Sequence, residues 1–260
     1  MPGEPNHVSY VQRDGIAEIT LNRAPVNAFS VAFLDEILDA LRRAAANEAA
    51  RVVLIRSALD KVFCAGLDLD VILGRTTEEV RRFLERLYTD LYELQHRMGK
   101  PTIAAVGGAA RGGGMTLALS CDMILAADSA TFGYPELEIG VLPAIHFMHL
   151  PRIVGRYRAF DLLFTCREFD AAEAQALGLV ARVSPKARLL EDARELARSL
   201  AAKPPTATRL ARQAFMRAND TDYRRGVAAA VEDFCNVATM PEAQEGLRAF
   251  LEKRPPNWKR

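Results

Sequence analysis

The stretch PTIAAVGGAARGGGMTLALSCDMILAA, Pro101 to Ala127, decides how this chain folds. Thr102–Val106 is a short apolar run with the look of a buried strand, and Met123–Ala126 is another. Between them lies an apolar segment that reads as a helix and opens on Gly112, Gly113 and Gly114. Glycine is among the poorest helix formers. Its use at this turn means that bare backbone, not side chain, is wanted there. Strand, helix and strand in succession imply an α/β core with crossover connections.

The flanking sequence repeats the alternation. Val8–Val11 and Ile16–Leu21 read as strands around the hairpin signal Asp14–Gly15. From Ser30 to Ala46, Phe33, Leu34, Ile37, Leu38 and Leu41 recur at helical spacing, with Ser30 as N-cap. Arg51–Ile55 is a strand followed by a glycine-containing loop. Thr77 to Met98 predicts one long amphipathic helix with Val80, Phe83, Leu84, Leu87, Leu91 and Leu94 on its apolar face. After about Pro185 the pattern is helical only: Ala187–Ala202, Thr206–Ala218, Asp222–Thr239 and Glu242–Glu252. Lys203-Pro204-Pro205 separates the first two, and Pro241 suits the first position of the last. The expected organisation is an α/β body over residues 1–200 and a helical region over 201–260, with a soft boundary near Ala201.

At 260 residues the chain can bury a sizeable core, and half of its residues are hydrophobic. The 34 basic and 33 acidic residues nearly cancel, which argues against binding to nucleic acid or an anionic membrane. Cys64, Cys121, Cys166 and Cys235 lie far apart with no CxxC pair, as expected of reduced thiols in a cytoplasmic protein. The N-terminal stretch lacks the pattern of a signal peptide, and no apolar run reaches membrane-spanning length.

Three features can carry chemistry: Phe63-Cys64-Ala65-Gly66-Leu67-Asp68-Leu69, the three glycines, and Tyr134-Pro135-Glu136. Both glycine elements follow strand ends, where α/β sheets commonly place ligands. Amides at a helix start are unpaired and sit at the positive end of its dipole. Two such amides from separate loops, aimed at one point, would form an oxyanion hole. Taken in isolation, a glycine cluster at a strand-to-helix turn more often serves close packing than catalysis, and a Glu after Pro most often lies in an exposed helix or turn. The glycines match neither GxGxxG nor a phosphate-binding P-loop. On the residues alone the substrate stays open.

The order and spacing of these segments resemble the crotonase, or enoyl-CoA hydratase/isomerase, family over nearly the whole chain. Leu21-Asn22-Arg23-Ala24-Pro25-Val26-Asn27-Ala28, the Phe63–Leu69 loop and Pro101–Gly108 with the three glycines and Ser120-Cys121-Asp122 carry the resemblance. So do Pro135-Glu136-Leu137 with Ile139-Gly140-Val141, Ala172–Gly178 with Leu179-Val180, and Glu245-Gly246 to Arg254. The resemblance implies a spiral of ββα units and a C-terminal helical region that packs between subunits of a homotrimer or a dimer of trimers. It implies an acyl-CoA substrate, with coenzyme A entering as part of the substrate and no separate cofactor. It places the Leu67 and Gly113 amides on the thioester oxygen and Glu136 as acid/base. Arg23, Ala28, Ala65, Asp68, Phe250 and Lys253 are the expected coenzyme A contacts.

The chain also departs from the family pattern. Hydratases of the family use two glutamates, and the first falls where this chain has Thr116, preceded by Met115. A threonine is no carboxylate base, so Glu136 would act alone. That resembles the double-bond isomerases of the family more than its hydratases. Pro143-Ala144-Ile145-His146-Phe147-Met148-His149-Leu150 replaces a usual glycine-rich segment with bulk. Met115, Thr116, Arg111 and His146 are therefore the expected acyl-pocket residues. His146 and His149 lack a third ligand that would make a metal site. Hydrolysis, carbon–carbon cleavage, slow hydration and acyl-CoA binding without catalysis are the alternatives to isomerisation.

Overall fold

A computed structural model describes residues 6–219 and 223–259. Its strands, in chain order, are β1 (Val8–Arg13), β2 (Ile16–Leu21), β3 (Val52–Ser57), β4 (Val62–Cys64), β5 (Thr102–Val106), β6 (Ala109–Arg111), β7 (Met123–Ala127), β8 (Thr131–Gly133), β9 (Phe169–Asp170) and β10 (Arg182–Ser184). One sheet runs β1-β2-β3-β5-β7-β10 and is parallel after the β1/β2 hairpin. The other runs β4-β6-β8-β9, antiparallel only at its last pair. The chain deals strands to the two sheets in turn: β3 then β4, β5 then β6, β7 then β8, with helical segments between turns. This is the expected spiral of ββα units. Every residue of β5 is buried, as parallel strands covered on both faces require.

Helix Val31–Ala46 begins where Ser30 accepts a hydrogen bond from the Phe33 amide, and it buries Phe33, Leu34, Ile37, Leu38 and Leu41. The second predicted helix differs in one respect. The chain is helical from Thr77 to Arg97, but Glu85–Asp90 takes the wider π turn. The extra residue per turn rotates the following face, so Gln95 is buried while Leu94 is only partly so. Gln95 spends its amide on Ser120 Oγ at 2.7 Å. The four short strands β4, β6, β8 and β9, of two or three residues each, carry too few side chains to show a period of two.

The C-terminal helices are Leu189–Ala201, Pro205–Asn219, Tyr223–Ala238 and Pro241–Leu251. Lys186–Arg188 is a 3-10 turn, and Asp222, the expected start of the third helix, lies outside the described residues. These helices fold back on the body of the same chain. Arg212 donates to both carboxylate oxygens of Asp122, at 2.8 and 3.1 Å. Arg81 binds Glu232, and Gln244 bonds the Ile72 carbonyl and the Gly74 amide. Gly246 lies so close to the Ile139 carbonyl that a Cβ there would stand 2.3 Å from it. The last helix thereby closes over the Glu136–Ile139 turn. Among the described residues no helix is long and apolar enough to cross a membrane.

Candidate active site

The Phe63–Leu69 loop is held by a buried asparagine. Asn27 accepts from the Arg23 amide at 2.7 Å and donates to the Phe63 carbonyl and Ser57 Oγ, each at 2.9 Å. Its backbone sits at φ 52°, a left-handed conformation that asparagine tolerates better than most residues. The loop is then stitched to the 26–29 segment. Ala65 donates to Val26, Phe29 to Gly66, and Asp68 to Phe29. With Gly66 and Asp68 turned towards Phe29, the extended backbone points the Leu67 N–H the other way.

The three glycines fill three different demands. Gly112 has φ 47°, and a Cβ on it would stand 2.9 Å from Glu136 Oε1. Gly113 is the first residue of the short helix Gly113–Ser120, where an amide has no partner within the helix. Its Cα faces the loop, for a Cβ would meet the Leu67 and Phe29 side chains and Gly66 Cα at 3.2–3.4 Å. Gly114 allows pure backbone packing, since a Cβ would come within 2.1 Å of the Cys64 carbonyl. Neither the Leu67 nor the Gly113 amide donates to a carbonyl among the described residues.

A cavity of about 600 Å³ opens where these elements meet. Its walls are Val26 and Ala28, the Ala65–Leu67 loop with Leu69 and Ile72, Gly112 and Gly113, Tyr88, and the Pro135–Val141 turn. Phe234, Gly246, Phe250, Arg254 and Pro256 of the helical region close it. The lining is mostly apolar, and Glu136 and Glu138 bring carboxylates to it. Glu136 is the unusual one. Its side chain is only 14% exposed, and its Oε2 is buried without a hydrogen-bond partner. Loss of solvation raises its pKa to about 7. A carboxylate with a pKa near neutrality, beside two unused amides, is equipped to take and return a proton.

Behind Glu136 and Gly112, on the far side of the cavity wall, lies a buried polar group. His146 Nε2 is 3.9 Å from Glu136 Oε1, 3.2 Å from the Gly112 carbonyl and 3.5 Å from Thr116 Oγ1. His146 Nδ1 is 2.9 Å from His149 Nε2, and the Tyr134 ring packs edge-on against His146 with centroids 4.5 Å apart. Burial lowers the pKa of His146 well below the usual imidazole range, helped by His149, and lowers that of His149 to about 4. Both imidazoles are therefore neutral at pH 7, and His146 forms no ion pair with Glu136.

Sequence and fold both match a known family. The sequence pattern of the enoyl-CoA hydratase/isomerase family matches residues 12–260. The chain belongs to the enoyl-CoA hydratase/isomerase family. It is 38% identical, over 94% of its length and 84% of the relative, to the mitochondrial enoyl-CoA hydratase domain-containing protein 2 of Bos taurus. The crystal structure of an enoyl-CoA hydratase from Mycobacterium avium subsp. paratuberculosis superposes with a TM-score of 0.85 at 27% identity, covering 96% of this chain and 98% of that one. An enoyl-CoA hydratase from Bacillus anthracis superposes at 0.78 with 36% identity, covering 96% and 98%.

Within this enoyl-CoA hydratase/isomerase fold, Leu67, Gly113, Glu136, Ala28, Ala65 and Phe250 all reach the cavity. The four residues expected to shape the acyl pocket do not line it. Met115 is fully buried in the core. Arg111 is bound to Thr131 Oγ1 at 2.8 Å and to Glu168 at 2.7 Å. Thr116 and His146 are buried behind Glu136, because their helices present these positions to each other rather than to the cavity. Arg23 and Asp68 pair with each other at 2.8 Å, and Arg23 also holds the Ala28 carbonyl. Lys253 is exposed and off the cavity wall, whereas the next residue, Arg254, lines it and is tied to Glu245 at 2.6 Å. Sequence reasoning did not single out the cavity residues Glu138, Tyr88 or Phe234. The apolar spacing around Phe234 was the available signal, but it does not say which cavity is lined.

Proposed function

We propose that this family member isomerises the double bond of an enoyl-CoA, with Glu136 as its single acid/base. The acyl-CoA thioester oxygen sits on the Leu67 and Gly113 amides, and Glu136 takes a proton from the carbon next to the thioester. The resulting enolate is held by the two donors, each contributing about 3 kcal/mol to the transition state. Glu136 then returns the proton at the far end of the former double bond, so the product is an isomer and no other reactant is consumed. Coenzyme A lies along Ala28 and Ala65 towards Phe250, with the Arg23–Asp68 pair and Lys253 as contacts for its outer part. The observation that carries this reading is the nearly buried Glu136 carboxylate at the cavity wall beside the Leu67 and Gly113 amides; the family resemblance puts Thr116 at the position where hydratases carry a second glutamate. Its test is Glu136→Gln: turnover should fall by about 1,000-fold or more while acyl-CoA binding persists. Unchanged turnover, or a wild-type protein that binds no acyl-CoA, would overturn the reading.

The names of the similar proteins favour a second reading, hydration, with water held by Glu136 alone. Product analysis by NMR on enoyl-, dienoyl- and oxoacyl-CoA separates the two. A shifted double bond supports isomerisation, and a 3-hydroxyacyl product supports hydration. Hydrolysis or carbon–carbon cleavage would show in the same panel, as would binding without turnover. A homotrimer or dimer of trimers is the assembly proposed with this activity.

A further inference from the structure

We infer that His146 is a positioning residue: through its hydrogen bond to the Gly112 carbonyl it orients and polarises the Gly112–Gly113 peptide, whose N–H receives the thioester oxygen. The inference rests on the oxyanion role of Gly113 set out above and adds the part of the protein that tunes that donor. Carbonyl and amide of one peptide share a single electronic system. A donor on the carbonyl makes the N–H at the other end a stronger donor, the cooperativity of hydrogen-bonded chains in low dielectric.

The proton positions follow from the partners. Gly112 O can only accept, so His146 Nε2, at 3.2 Å, carries the hydrogen. Nδ1 is then the acceptor, and the His149 Nε2–H donates to it at 2.9 Å. Donors thus run His149 to His146 to Gly112, and from Gly113 onwards to the substrate. The Gly112 carbonyl already accepts from Met115 N at 2.8 Å and Thr116 N at 3.1 Å, so His146 adds a third donor to a carbonyl at a helix start. Packing fixes the line: His146 is 1% exposed and held edge-on by Tyr134. Gly112 at φ 47° depends on such restraint, because no side chain of its own braces the peptide.

Infrared difference spectroscopy with a saturated acyl-CoA carrying a 13C thioester carbonyl reads the polarisation directly. In the wild type the carbonyl band should move to lower frequency on binding. His146→Leu should lose much of that movement and about 10-fold in kcat, less than the ~100-fold expected for losing a whole oxyanion donor. Its Kd for acyl-CoA should stay within about 2-fold, a difference of about 0.4 kcal/mol. His146→Gln, whose amide can reach the Nε2 position, should restore most of both. Equal band positions and equal kcat in wild type and His146→Leu would overturn the inference alone, whereas absence of acyl-CoA binding by the wild type would overturn it together with the proposed function. Imidazole 15N shifts give a reading that needs no His146 variant. The wild type should show His146 protonated at Nε2, and His149→Leu should weaken the band movement. A His146 protonated at Nδ1 would overturn the inference.

Discussion

Glu136 couples the chemistry of the site to the stability of the fold. An ordinary glutamate titrates near 4.5, whereas burial holds this one at about 7. Below pH 4.5 the carboxyl is neutral in folded and unfolded chains and costs nothing. Between pH 4.5 and 7 the unfolded chain loses the proton first, so stability falls as pH rises, and the full cost, about 3 kcal/mol, is present above 7. Glu136→Gln should therefore stabilise the protein by roughly that amount at pH 8 and by little at pH 4.5, as measured by urea unfolding. Turnover should run the other way, rising with pH through about 7 as the base form appears. The glycines next to it separate fold from function in the same manner. Gly114→Ala would press a Cβ onto the Cys64 carbonyl, backbone that cannot yield, and should cost roughly 2–4 kcal/mol of stability. Gly112→Ala meets the movable end of Glu136 instead. It should cost about 1–2 kcal/mol for its φ, yet reduce turnover more than Gly114→Ala does per unit of stability lost. Thermal melts alongside kcat distinguish the two. The glycines themselves were legible in the sequence as a demand for backbone. Their separate reasons were not, because Cys64, Glu136 and Leu67 come from other parts of the chain.

At the scale of elements, the long strands and helices were legible because each buries one face over several residues, as Val31–Ala46 does with five apolar side chains at helical spacing. The π turn at Glu85–Asp90 was not, since composition carries no mark of an extra residue per turn, and the burial of Gln95 in place of Leu94 follows from it. The placement of the four expected acyl-pocket residues off the cavity has a related reason. Met115, Thr116, Arg111 and His146 are near the glycines in sequence or type, but helix rotation and the spiral decide which side of Glu136 they occupy. The helix Pro205–Asn219 is fastened to the spiral by Arg212, whose side chain is 6% exposed and grips Asp122 just before β7. Asp122 also accepts from the Thr102 amide at 2.8 Å, so the pair ties that helix to two central strands. Arg212→Ala leaves a largely buried carboxylate without its cation and should cost about 3 kcal/mol or more in urea unfolding. Replacing both residues by apolar ones should cost less than Arg212→Ala alone, which a double-mutant cycle measures.

For the whole molecule, the helical region is both a wall of the cavity, through Phe234, Gly246 and Phe250, and a source of exposed apolar surface. The sequence reading assigned subunit packing to residues 201–260. The structure adds a further face before them, on the helix Arg156–Thr165. Tyr157 is 86% exposed there, Phe160 and Phe164 stack with centroids 4.0 Å apart, and Phe147 stacks on Phe164. Aromatic rings in contact with one another and with water represent a standing hydrophobic cost that a second copy of the chain would relieve. The proposed trimer therefore leads to a specific expectation. The protein should sediment as an oligomer at micromolar concentration, and the double variant Tyr157→Asp/Phe160→Asp should shift it towards monomer while keeping its far-ultraviolet circular dichroism. Two carboxylates at the centre of such a face would have to be desolvated on association, which costs more than the rings contribute. Sedimentation velocity decides the point: an oligomer that survives both substitutions would place the subunit interface elsewhere, on the exposed residues Leu210, Phe215 or Leu251 of the C-terminal helices.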